Sequence, residues 1–144
     1  MRLIGNGFVA DLPVGWEDRT LTTLVGTIGR TGFTSNVVIS RELVPDDTVV
    51  ADYARAQLDA APISDLQVIS EHPTLVYGAP AHQRMQRFRA EGYEVQQQQT
   101  FVRGRGIVFV ITCTATAEEF DEQLPLFRCV LESFRMFDVD AALS

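Results

Sequence analysis

The stretch from Ala81 to Val102 constrains the fold more than any other part of the chain. Two alternating segments, Ala81–Ala90 and Tyr93–Val102, flank the dipeptide Glu91-Gly92. Alternation at period two places successive side chains on opposite faces of a strand. A two-residue connection ending in glycine, set between two such runs, signals a tight β-hairpin. The second arm contains EVQQQQTFV, with four consecutive glutamines, Gln96 to Gln99, between apolar neighbours. As a strand it puts Val95, Gln97 and Gln99 on one face and Gln96, Gln98 and Thr100 on the other. The hairpin commits the chain to an antiparallel sheet, and both faces of that sheet must then accommodate amides.

The flanking sequence extends the pattern. Phe8 to Leu12, Thr20 to Ile28 and Asn36 to Glu42 read as strands, with Gly26 marking a bulge or kink. Pro45, Asp46 and Asp47 stop the third strand, and Asp47 or Thr48 is the expected N-cap of a helix. Its stripe is Val50, Tyr53, Ala54, Gln57, Leu58 and Ala61, and Pro62 ends it. Leu66 to Glu71 reads as a strand, and Gly78-Ala79-Pro80 as the turn before the hairpin. Ile107 to Ala115 is the most hydrophobic strand and is expected at the centre of the sheet. Thr116 to Glu119 forms a capping box before a second helix. Pro125, inside the helical pattern, predicts a short turn and then a helix starting near Leu124. The order β β β α β β β β α defines an α+β fold: a twisted, mostly antiparallel sheet of about six to seven strands with two main helices. Residues 1–138 read as a single domain and 139–144 as a C-terminal tail.

Charge and composition narrow the function. The net charge of −7 disfavours nucleic acid. All twelve basic residues are arginine, so lysine-dependent Schiff-base and P-loop chemistry is excluded. The N-terminus lacks a signal-peptide pattern and no segment reaches the length of a membrane span, so a cytoplasmic location is expected. Cys113 and Cys129 are then expected as buried free thiols.

Catalytic signatures are missing. His72, His82 and the two cysteines have no metal-ligand spacing. The run GRTGF, residues 29–33, precedes a strand rather than a helix and so has no helix N-terminus to hold phosphate. The chain reads as a binding protein without cofactor or metal, and not as an enzyme. The residues that stand out lie on strand faces. Leu21, Thr23, Asn36, Val38, Ser40, Val95, Gln97 and Gln99, taken as one face, combine apolar patches with small hydroxyls and amides. One reading is a partly wet face knitted by Gln–Gln and Thr–Gln cross-strand pairs. The other is a surface for an apolar partner that also presents backbone polar groups.

The segments FVADLPVGWEDRT, NVVISRE, ADYARAQLDAA, VQQQQTFVRGRGIVFVITCTAT and FRCVLESFRM together resemble the DcrB-related family, whose fold is like that of photosystem extrinsic protein P. The resemblance spans nearly the whole chain. For members without a signal peptide it implies an Eag-type chaperone of type VI secretion: a cytoplasmic homodimer that shields the hydrophobic N-terminal transmembrane helices of an effector. It marks Leu21, Thr23, Asn36, Ser40, Gln57, Ala61, Val95 and Gln99 as client-binding positions. The alternatives are a binding module of the same family with another protein or small ligand, and an enzyme with a dispersed site.

Overall fold

The computed structural model describes residues 2–5, 8–17, 19–60 and 62–137. Its elements are β1 (Arg2–Gly5), β2 (Phe8–Asp11), β3 (Thr22–Ile28), β4 (Thr34–Leu43), α1 (Val50–Ala60), β5 (Gln67–Val76), β6 (Ala79–Ala90), β7 (Tyr93–Gly104), β8 (Ile107–Thr116) and α2 (Phe120–Ser133). β1 and β2 form a separate hairpin, and the other six strands form one sheet in the order β3-β4-β8-β7-β6-β5. Every neighbouring pair is antiparallel. The α+β expectation holds, with β1 as an added strand. The proposed tail, 139–144, lies outside the described residues.

The expected hairpin is present: Ala90 pairs with Tyr93 across Glu91 and Gly92, whose φ angles are 53° and 84°. Both central residues at positive φ define the turn whose twist matches that of the flanking strands. Tyr77 and Gly78 close the β5–β6 hairpin in the same way, at 47° and 81°. That places the turn one residue earlier than expected and leaves Pro80 inside β6. β5 runs on through Pro73. An edge strand tolerates proline, because its missing N–H can face away from the sheet.

The helices cover opposite faces. α2 lies over β8, and its Phe120 and Phe127 join Val37, Val102, Ile111, Cys113 and Ala115 in the larger core. Fully burying a side chain such as Phe120 or Ile111 stabilises by about 1.5–3 kcal/mol. α1 lies over β6 and β7, where Ala54, Phe101 and Val108 form a smaller core flanked by Val44, Val50, Tyr53 and Val110.

Both helix starts differ from expectation. α1 begins at Val50, because Thr48 N–H is occupied by the Pro45 carbonyl in a preceding turn. α2 begins at Phe120 and contains Pro125 without a break. Its capping box is half made. Thr116 Oγ1 accepts from the Glu119 N–H at 3.2 Å, but the Glu119 carboxylate turns to Thr31.

Candidate functional site

The cross-strand register places seven of the proposed residues, Thr23, Asn36, Val38, Ser40, Val95, Gln97 and Gln99, on one sheet face. One row runs Thr23, Val38, Thr112, Gln99, Arg84, Glu71, and the next runs Val25, Asn36, Thr114, Gln97, Gln86, Val68. A third contains Ser40, Val110, Phe101 and His82. This is the face that α1 covers, packing over β6 and β7 and onto Val108 and Val110 of β8. The β4–β3 side, with the Thr112 end of β8, is open.

Under α1 the polar groups are knitted together. Arg84 is 2% exposed. Its Nη1 donates to the Ala54 carbonyl at 2.8 Å and its Nη2 to Gln99 Oε1 at 2.8 Å. The guanidinium stands 5.0 Å from the centroid of the Phe101 ring, and Glu71 Oε1 lies 3.8 Å from it. Burial lowers the Arg84 pKa, while Glu71 opposes that shift. Gln86 Nε2 donates to Gln97 Oε1 at 2.9 Å, and Gln97 Nε2 donates to Thr114 Oγ1 at 3.1 Å. Gln97 and Gln99 therefore lie on the expected face with their amides engaged inside the sheet. Cross-strand pairing, the first of the two readings of this face, describes these two residues. Val95 shares the face but is 2% exposed, so it is interior.

The other two glutamines fall on the α2 face as expected. Gln96 Oε1 accepts from Arg87 Nε at 2.7 Å. The Oε1 of Gln98 has no partner among the described residues.

Beyond α1 the same face changes character. Asn36, Val38, Ser40 and Thr112 are half-buried, and Thr23 and Val25 are exposed. None of these side chains is charged. The hydroxyls of Thr23, Ser40 and Thr112 make no side-chain hydrogen bond among the described residues, and Asn36 Nδ2 reaches the Thr34 carbonyl only at 3.4 Å. Thr112, Val110 and Val25 were not singled out from the sequence. The alternating hydroxyls of ITCTAT, residues 111–116, carried the signal for Thr112.

The remaining proposed residues are scattered. Leu21 precedes β3 and is 61% exposed. Gln57 is exposed on α1 one turn beyond Tyr53 and on the same side. Tyr53 Oη donates to Glu42 Oε2 at 2.5 Å. Burial first, then Glu42, raises the Tyr53 pKa. Ala61 lies outside the described residues.

A clamp fixes the strands that carry the open half. The GRTGF loop between β3 and β4 lies against the start of α2. The Glu119 carboxylate accepts from the Thr31 N–H at 2.9 Å and from the Thr31 hydroxyl. Arg30 pairs with Glu118 and Glu122, each at 2.7 Å. The Thr31 hydrogen bonds, led by that from the hydroxyl, lower the Glu119 pKa. A Cβ at Gly29 would lie against the Glu119 carboxylate, which would have to shift and loosen its hold on Thr31. The loop's ligand is this internal carboxylate.

Cys113 is buried and its pKa is pushed up to about 12 by desolvation. Cys129 is free as expected, but exposed rather than buried. Among the described residues, no group of three or more His, Cys, Asp or Glu side chains could hold a metal ion. No helix among them is long and apolar enough to cross a membrane.

A six-stranded antiparallel sheet with one helix on each face makes a PsbP-like α+β fold. The chain belongs to the DcrB family, whose profile matches residues 10–133. No curated protein matches it. Among solved structures it is similar to PA94, a Pseudomonas aeruginosa protein of unknown function. The identity is 18% and the TM-score 0.81, covering 96% of this chain and 98% of that one. It is also similar to CyanoP, the cyanobacterial PsbP of Synechocystis, at 12% identity and TM-score 0.55, covering 88% and 98%. A third similarity is to LpqN, a Mycobacterium tuberculosis protein involved in cell envelope biogenesis. Identity there is 12% and the TM-score 0.50, covering 83% of this chain and 85% of that one.

Proposed function

We propose that the protein is a cytoplasmic chaperone or adaptor that shields the hydrophobic N-terminal transmembrane helices of a type VI secretion effector. The observation that carries this reading is the open half of the α1 face. It is sheet-backed and half-exposed, with Val25 and Val38 set among the untied hydroxyls of Thr23, Ser40 and Thr112 and no charged side chain among these residues. Burying an apolar helix against the valines removes both surfaces from water, at about 25 cal/mol per Å² of apolar area. Small hydroxyls can meet backbone carbonyls where a helix exposes them through small side chains. A charge in this surface would have to be desolvated on binding and would oppose it. Membership of the DcrB family agrees with a binding role.

The test is coexpression with effector N-terminal regions that contain apolar helices. The wild-type chain keeps such a region soluble and co-purifies with it. Val38→Asp loses the client while keeping its own melting temperature within a few degrees. Failure of the wild-type protein to hold any such region in solution rejects the reading.

A further inference from the structure

The chain that leads into β3 is an apolar arm held away from the core. Phe8 and Val9 of β2, and Val14 and Trp16 beyond it, are 54%, 55%, 103% and 70% exposed. Among the described residues, neither core draws on a residue before Val37. β1 and β2 pair only with each other, and a two-stranded hairpin by itself is marginal in water. Between β2 and β3, the run Leu12-Pro13-Val14-Gly15-Trp16 is uncharged. It is held as a turn: the Trp16 N–H donates to the Pro13 carbonyl at 3.1 Å, and Gly15 has a φ of 85°. The turn presents Val14 and the one tryptophan of the chain to solvent as a preformed apolar tip.

We infer that this arm is a built-in occupant of the open side of the α1 face: without a client, residues 12–16 fold back over Val38 and Thr112, and a client displaces them. The arm with Trp16 exposed is the released position. Leu21 directly precedes β3, the edge strand of the open side. Trp16 is five residues from Leu21, a reach of about 17 Å at roughly 3.3 Å per residue. From β3 across β4 to β8 is two strand spacings, about 10 Å. The tip therefore reaches Thr112 without any movement of the sheet. Arg19, Thr20 and Leu21 are exposed and outside any helix or strand, which suits them to turn as a hinge. The chemistry of the two surfaces matches. The tip carries no charge and neither do Thr23, Val25, Val38, Ser40 and Thr112, so their contact desolvates no ion. Glu17 and Arg19, which follow the tip, pair with each other in solvent at 2.9 Å. Hydroxyls on the face can donate to the backbone carbonyls of a turn. The short tether also gives the tip a high effective concentration at its own face, which a separate molecule lacks. A docked arm keeps an apolar surface from indiscriminate contact and lowers the apparent client affinity by the fraction of chains left open. The docking stands without any client, whereas displacement by one rests on the chaperone reading.

Acrylamide quenching of Trp16 fluorescence in the full chain without client is the first measurement, and no other tryptophan contributes to the signal. Wild-type Trp16 is quenched several-fold less than in the urea-unfolded chain. Val38→Asp, which sets a charge beneath the tip, restores quenching to the unfolded level. Trp16 quenched as readily in the folded wild type as in urea overturns the inference. So does protection that fades on dilution, which assigns the arm to a second copy. Should Val38→Asp unfold the chain, Val14→Ser/Trp16→Ser supplies the second measurement, because both side chains are exposed and outside both cores. Binding of Nile red, a neutral apolar dye, then rises several-fold over the wild type as the face is uncovered. Unchanged dye binding overturns the docking. Client solubilisation separates the two readings. A protected Trp16 in a chain that solubilises no effector region rejects the chaperone reading alone. A chain that solubilises such a region while its Trp16 is freely quenched before client is added rejects the arm alone.

Discussion

The two halves of the α1 face are made from similar residues and differ in what their polar groups touch. Beneath α1, the side chains of Arg84, Gln86, Gln97, Gln99 and Thr114 hydrogen-bond to one another or to the Ala54 carbonyl. Towards β4 and β3, the hydroxyls of Thr112, Ser40 and Thr23 are untied, and Val38 and Val25 lie between them. The covered half uses most of its polar atoms internally, leaving Arg84 Nε and Gln86 Oε1 without a partner among the described residues, and the open half keeps its hydroxyls for a partner. Position under or beyond a helix decides which role an amide or hydroxyl takes.

Four substitutions test that division, beginning with the largest effect. Phe101→Ala removes the ring beneath α1 that packs against Tyr53 and Arg84. It should destabilise by about 3–5 kcal/mol in urea unfolding, and a loss under 1 kcal/mol would mean that α1 is not held by this core. Gln99→Ala leaves the Nη2 of buried Arg84 without its acceptor and should cost about 1–3 kcal/mol. A neutral result by thermal unfolding would erase the contrast between the halves.

Glu119→Gln weakens the clamp on the β3–β4 loop, and its effect is read through pH. Because the folded pKa of Glu119 is lowered, its stabilisation is present above the unfolded value of about 4.3. It is lost as pH falls through the lower folded value. The variant should melt below the wild type at pH 7, and the gap should narrow by pH 3. A gap that is constant with pH assigns the loss to packing instead. Ser40→Ala/Thr112→Ala is the smallest for stability, within about 0.5 kcal/mol, yet it should weaken client retention in a pull-down. Equal retention would show that the valines alone hold the client.

Much of the fold was legible before the structure. Glu91-Gly92 sets a two-residue turn and the alternation around it sets the register, because both depend on local backbone geometry. Gly26 marks the irregularity in β3 for the same reason. The helix starts were less legible. The Asp46-Asp47 pair looks like a cap but sits in a turn, and Pro125 is carried by a helix that tertiary packing of Phe120 and Phe127 holds in place. The face of the candidate site could be grouped from alternation alone, but its membership could not. Val95 drops out because it is buried, and Thr112 enters because β8 is inserted between β4 and β7. No local pattern encodes that insertion.

By itself the sequence determined an antiparallel α+β chain, a hairpin with glutamines divided between two faces, and an acidic surface without lysine. These follow from side-chain period, turn chemistry and composition, which act over a few residues. The tertiary structure decided which glutamines are consumed, since that depends on where α1 stops along the sheet and on Arg84 reaching both Ala54 and Gln99. It also decided that the N-terminal arm joins the sheet beside its open side. Strand order places β5 at one end and β3 at the other, and an edge exists only once the sheet has been assembled.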